Sequence, residues 1–189
     1  MSVFDDSDDK ELREECVSSE IAFRGGFLSV QRDVIKLPDG KTSWREFILH
    51  PGAVMVVPML DDGQVVIERQ FRYPHRRAFM EFPAGKIDPG EDPLVCAKRE
   101  LLEETGYTAT TWHRLGTIHN AIAYSDEHID IYLAQGLTAG TRKLDDGEFL
   151  EVHTVPFDDV MKAIRSGHIT DVKTIVGAYW TNDWLMSPS

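Results

Sequence analysis

The chain has 189 residues, 42% of them apolar, and a formal net charge of −12. That length suits one main domain with a small accessory unit, and no apolar run approaches the roughly 18 residues of a membrane span. Such an acidic balance argues against broad binding to nucleic-acid backbones, which needs clustered Lys and Arg. It leaves open an anionic small substrate met by bound cations and a few placed arginines.

The opening stretch, MSVFDDSDDKELREE, is acidic and has no apolar h-region, so it does not read as a secretory signal. It reads as a tail leading into a short helix. The cysteines Cys16 and Cys96 make no disulfide framework, so the reducing cytoplasm is the expected compartment. Residues 27–36 and 42–50 read as strands, and Pro38-Asp39-Gly40 between them signals a hairpin turn. Pro51-Gly52 marks a boundary, which divides the chain into a unit of residues 1–50 and a main domain of residues 51–189. Residues 53–60 and 64–71 are expected to form a second hairpin around Asp61-Asp62-Gly63. The first of these, AVMVVPML, is apolar enough for a buried strand.

Residues 79–83 lead into the most informative stretch, GKIDPGEDPLVCAKRELLEETGY, from Gly85 to Tyr107. Asp92 suits an N-cap, Pro93 the first helical position and Gly106 a C-terminal cap with positive φ. The spacing therefore predicts a helix over 93–105. Glu100, Glu103 and Glu104 fall on one face of it. Cys96 and Ala97, one turn earlier, are small enough to leave room for a bound group. Like charges at this spacing repel, and a bound cation offsets that repulsion. Hard oxygen ligands favour Mg²⁺ or Mn²⁺ over Zn²⁺. Acidic clusters on helices are usually solvated faces, and Arg99 could simply pair with Glu103. The agreement of turn, caps and carboxylates favours metal binding.

Strands are expected over 112–118 and 129–134, separated by the polar loop 119–128, and again over 151–156. Residues 158–166 read as a helix stopped by Gly167, and 171–185 as a C-terminal helix. Strands, a helix, more strands and then helices make an α+β sandwich, with a mixed sheet between helices. The histidines His119, His128, His153 and His168 show no zinc spacing with cysteine. Ser125, Asp126 and Glu127 beside His128 lack a nucleophile elbow, so a hydrolase triad is discounted.

Gly85, Glu91, Arg99, Glu100, Leu101, Glu103, Glu104, Gly106 and Tyr107 stand at the positions of the Nudix signature, and the chain resembles the Nudix hydrolases. Further short matches are similar to the ADP-ribose pyrophosphatase branch: Arg45-Glu46, His50 to Val54, Arg69 to Arg72, Glu81 to Gly85, Ser125-Asp126-Glu127 and Ser166 to Ile169. The resemblance implies an α/β/α sandwich, with a small N-terminal β unit through which homodimers form. It also implies Mg²⁺-dependent cleavage of ADP-ribose into AMP and ribose 5-phosphate.

Carried over by position, the resemblance implies metal ligation by Glu100, Glu104 and the backbone carbonyl of Ala84. Glu103 would serve a further ion or a supporting contact. Arg45 and Arg72 would meet phosphates or the terminal ribose, where the guanidinium fork suits phosphate oxygens. Glu81 would accept from ribose hydroxyls. Trp44 would stack on adenine or simply pack. Each of Arg45, Arg72 and Glu81 keeps a structural alternative as a paired or exposed strand residue. Glu127, on a separate mobile loop, is the expected general base, because metal-bound carboxylates accept protons poorly; Glu103 is the runner-up. Many members of the branch carry a Ser-Pro-Gly-like stretch where this chain has Ala121-Ile122-Ala123, which leaves open a broader nucleotide-sugar or ADP-compound diphosphatase. A non-catalytic ligand sensor on the same fold would be expected to have lost the box carboxylates, which this chain keeps.

Overall fold

The computed structural model describes residues 11–144, 147 and 149–186. Residues 1–10 of the expected tail lie outside them. The chain divides into two compact units, one holding the segment up to His50 with Ala121–Glu127, the other the remainder.

The first unit is a three-stranded antiparallel sheet, in the order β1 (Glu15–Arg24), β2 (Ser29–Lys36) and β3 (Thr42–Leu49). β2 and β3 are the expected hairpin, closed where Gly40 N–H donates to the Leu37 carbonyl at 2.9 Å. β1 replaces the expected short helix. The acidic run before it has helical composition, but Val17, Ser19, Ile21 and Phe23 then alternate with neighbours in the two-residue period of a strand. Arg32 on β2 ties the sheet across its width, reaching Glu20 on β1 at 3.4 Å and Glu46 on β3 at 2.6 Å.

The second unit is built on a mixed four-stranded sheet and a separate three-stranded one. β4 (Ala53–Pro58) lies in the first, antiparallel to β7 (Ala84–Lys86) and parallel to β9 (Ile129–Ala139); β8 (Tyr107–Ile118) closes the far edge against β9. β8 and β9 run further than expected from sequence. β5 (Gln64–Arg72) lies between β6 (Arg77–Glu81) and β10 (Leu150–Pro156) in the second sheet. The expected 53–71 hairpin is thus corrected. Its turn forms, with Leu60 N–H donating to the Gln64 carbonyl at 2.8 Å, but β4 and β5 then part into different sheets and share only the Met59–Val65 bridge.

All of β4 is buried because both of its faces are covered. Val54 and Val56 pack with Cys96, Ala97 and Leu101 of the box segment, whose helix α1 spans Pro93–Glu100. Met55 and Val57 face the larger core, with Val65 and Ile67 of β5, Phe157, Val160 and Met161 of α2 (Phe157–Arg165), and Ala178 of α3 (Val172–Met186). Burying each such aliphatic side chain contributes about 1.5–3 kcal/mol. α3 approaches closely because Gly177 has no Cβ; one placed there would meet Met55 Cε at 2.3 Å and Val57 at 3.3 Å. The result is the expected α/β/α layering. One expectation about α1 is corrected: Cys96 and Ala97 are wholly buried, so their small size seats the helix on the sheet and leaves no room for a ligand.

Candidate active site

The box helix starts as its sequence requires. Asp92 accepts from the Leu94 and Val95 amides at 2.9 and 3.2 Å, and Pro93 follows at the first helical position. Its last turn, Leu101–Thr105, widens into a π-helix before Gly106 ends it with φ 78°. Single π-turns of this kind recur at functional sites. This one carries Glu103 and Glu104. Glu104 is only 4% exposed and accepts from the Ala84 amide at 3.0 Å, which joins the helix to the strand that precedes the box loop. Glu100 lies against Gly85, and a Cβ on that residue would fall 1.9 Å from the Glu100 carboxyl carbon. A side chain there would push the carboxylate out of its present position.

Arg99 is the hub of the cluster. Its Nε and Nη2 clamp Glu91 at 2.9 Å each, while Nη1 donates to Glu100 at 2.8 Å and Glu103 at 3.0 Å. The sequence offered the Glu103 contact as the plain alternative to metal binding, and gave no sign of those to Glu91 and Glu100. Hydrogen bonds from Arg99 and the Asp88 amide hold the Glu91 carboxyl down at about 2, and Glu91 foremost raises Arg99 above its ordinary range. Burial, with Glu91 nearby, pushes the Cys96 thiol up to about 12, so it is an inert packing group.

The cluster fits a hard divalent cation in its donor chemistry. One guanidinium faces three carboxylates, and Glu104 adds a fourth, so negative charge is in excess. Among the described residues no three acidic, His or Cys side chains already form an ion cage. Arg99 stands among the carboxylates as the local cation.

Arg72 and Glu81 meet each other. Arg72 Nε and Nη2 donate to the two Glu81 oxygens at 2.7 Å each. Glu81 is 4% exposed and also receives Lys173, which in turn donates to Asp171 at 3.0 Å. Burial raises the Glu81 pKa, but Arg72 and Lys173 outweigh it and the net shift is downward. Glu81 foremost raises Arg72, and Asp171 and Glu104 add to that shift, which brings the pair within electrostatic reach of the box. Lys173 and Asp171 were missed in the sequence because each is an ordinary residue at the start of a helix. Only the contact between α3 and β6 shows their use.

The remaining candidates lie in the first unit. Arg45 pairs with Glu14 and donates to the Trp44 carbonyl at 3.0 Å; Trp44 is exposed. Glu127 stands 3.6 Å from His50. The expectation of a free, mobile loop around it is corrected. Residues 124–126 are stitched to the end of β3 by Ile48 N–H to the Tyr124 carbonyl at 2.8 Å and His50 N–H to Asp126 at 2.7 Å. Ser125 Oγ, which donates to the Ile48 carbonyl, accepts from the Glu127 amide at 3.1 Å and so fixes its backbone.

The model of the NUDIX domain matches residues 49–173, and that of the nucleoside diphosphate sugar hydrolase N-terminal domain matches residues 14–48. The chain is 38% identical to an ADP-ribose pyrophosphatase of Bacillus subtilis, covering 87% of this chain and 90% of that one. It is 35% identical to a methanol dehydrogenase activator of Bacillus methanolicus, covering 90% and 94%. A crystal structure of an ADP compounds hydrolase superposes with a TM-score of 0.83 at 24% identity, over 93% of this chain and 96% of that one, which is a likeness of fold.

Proposed function

This chain belongs to the Nudix hydrolase family, and on that premise we propose that it hydrolyses ADP-ribose to AMP and ribose 5-phosphate with Mg²⁺, or Mn²⁺ in its place. The observation that carries this reading is the half-buried, Arg99-centred carboxylate cluster of the box, beside the buried Glu104 that accepts from the Ala84 amide. Nudix hydrolases generally act with a divalent metal. In this chain Glu100, Glu104 and the Ala84 carbonyl are the proposed ligands, with Glu103 in support. Held there, a divalent ion would supply Lewis-acid charge neutralisation and a more acidic water.

The chain's own residues supply the rest. The edge of the Arg72 guanidinium turned away from Glu81 is proposed to donate to a phosphate oxygen, and Arg45 to do the same or to meet the terminal ribose. Trp44, exposed, offers a face for adenine. Glu81, engaged by Arg72 and Lys173, is better suited to aim Arg72 than to bind ribose hydroxyls. Glu127 is proposed to take the proton of the attacking water, with Glu103 as runner-up. Its backbone amide is tethered to Ser125, and its carboxylate stands 3.6 Å from His50 Nε2. A homodimer assembled through residues 1–50 would cover the exposed side chains of β1, and the free thiols of Cys16 and Cys96 suit the cytoplasm.

A second reading, a broader nucleotide-sugar diphosphatase, is favoured by the match of residues 14–48 and by Ala121-Ile122-Ala123. Comparing kcat/KM for ADP-ribose, GDP-mannose and a dinucleotide with Mg²⁺ separates the two. A preference for ADP-ribose of at least about tenfold, with AMP as product, supports the first; similar values for all three favour the second.

A further inference from the structure

We infer that Lys173 is a positioning residue, whose buried charge keeps Arg72 able to bind a diphosphate. This deepens the proposed function and rests on it. Lys173 sits in the first turn of α3, where the helix dipole disfavours a cation. Its side chain is only 11% exposed and its ammonium is shared between Glu81 and Asp171. Asp171 also caps α3 by accepting from the Thr174 amide at 3.0 Å.

A purely structural tie between α3 and β6 is the plain alternative. Phe82 already provides one, its amide donating to Thr174 Oγ1 at 3.1 Å. A buried ion pair is a poor source of stability, since apolar residues of similar volume often serve as well. The charge balance gives Lys173 a different use. Arg72 and Lys173 stand against Glu81 and Asp171, two cations to two carboxylates. Glu81 takes one edge of the Arg72 fork, and the side chain of Arg72 remains 42% exposed. Without Lys173 the surroundings of Arg72 would be one unit more negative and less favourable to an approaching anion. Without the charge of Asp171 they would be one unit less negative and more favourable to it.

The test is calorimetric titration of ADP into the Mg²⁺-loaded protein, for wild type, Lys173→Met, Lys173→Arg and Asp171→Asn. Asn keeps an acceptor for the α3 cap. Lys173→Met should weaken ADP binding roughly tenfold, the scale of one unit charge about 12 Å away at an effective dielectric near 20. Lys173→Arg should stay close to wild type. Asp171→Asn should bind ADP several-fold more tightly (about threefold or more on the same scale). Unchanged affinity in all three, or weaker binding in both Lys173→Met and Asp171→Asn, would overturn the inference. Should Lys173→Met fail to fold, the direction of the shift in Asp171→Asn decides. Opposite shifts in a protein that does not hydrolyse ADP-ribose would reject the proposed substrate and leave the role of Lys173 standing.

Discussion

Strands β4 and β1 are opposite extremes of one chain. All six residues of β4 are buried and all ten of β1 are exposed. β4 draws its stability from layers that the chain itself supplies, and it carries the scaffold on which the box helix, Ala84 and Gly85 are set. Val17, Ile21 and Phe23 of β1 gain nothing from that core. The contrast teaches that the strand under the box draws on a core the chain supplies itself, while β1 adds no buried side chain to it, so substitutions on β1 should leave the stability of that core unmoved.

The largest effect should come from the scaffold's carboxylates. Glu104→Gln should lower kcat for ADP-ribose by about 10³-fold or more, since several kcal/mol of charge stabilisation is lost at about 1.4 kcal/mol per tenfold. Steady-state kinetics beside circular dichroism check this, and an unchanged kcat rejects the assignment. Glu127→Gln should cost about 10²–10⁴ in kcat, the usual worth of a general base, with Mg²⁺ affinity unchanged. A near-normal Glu127→Gln beside an inactive, metal-binding Glu103→Gln would move the base to the box helix.

The comparison between the strands sharpens next. Met55→Ala should lower unfolding stability by about 2–5 kcal/mol through a core cavity. Phe23→Asp should change it by no more than about 0.5 kcal/mol per subunit once dissociated, while converting a dimer to a monomer in light scattering. A wild-type protein that is already monomeric at micromolar concentration would break the proposal for β1.

The smallest effect concerns acid. Glu91 is held at about 2 in the fold against an ordinary 4.5. Its contribution to stability is therefore present above pH 4.5 and is lost as pH falls towards 2. Glu81 shifts in the same direction. Thermal melts at descending pH should show a shallower loss in Glu91→Gln than in wild type; parallel curves would contradict this.

Much of the box was legible because its signals are local. Asp92, Pro93 and Gly106 act within one turn of where they stand, and the caps form as expected. The π-turn was not legible, since no residue type marks it. The parting of β4 and β5 was hidden because the partners of β4 are β7 and β9, further along the chain, and a turn signal says nothing about which strands pair beyond it. β1 was obscured by the acidic run before it. Lys173 and Arg99 were visible as residues, but their partners Glu81 and Glu91 come from other elements, and only packing brings them together.

The most direct test of metal-assisted hydrolysis uses wild-type protein stripped with EDTA, then given Mg²⁺, with ADP-ribose as substrate and AMP and ribose 5-phosphate quantified. No product before Mg²⁺, and equal amounts of both products after it, is the predicted result. Undiminished turnover in the stripped protein, or none after Mg²⁺ returns, would contradict the account.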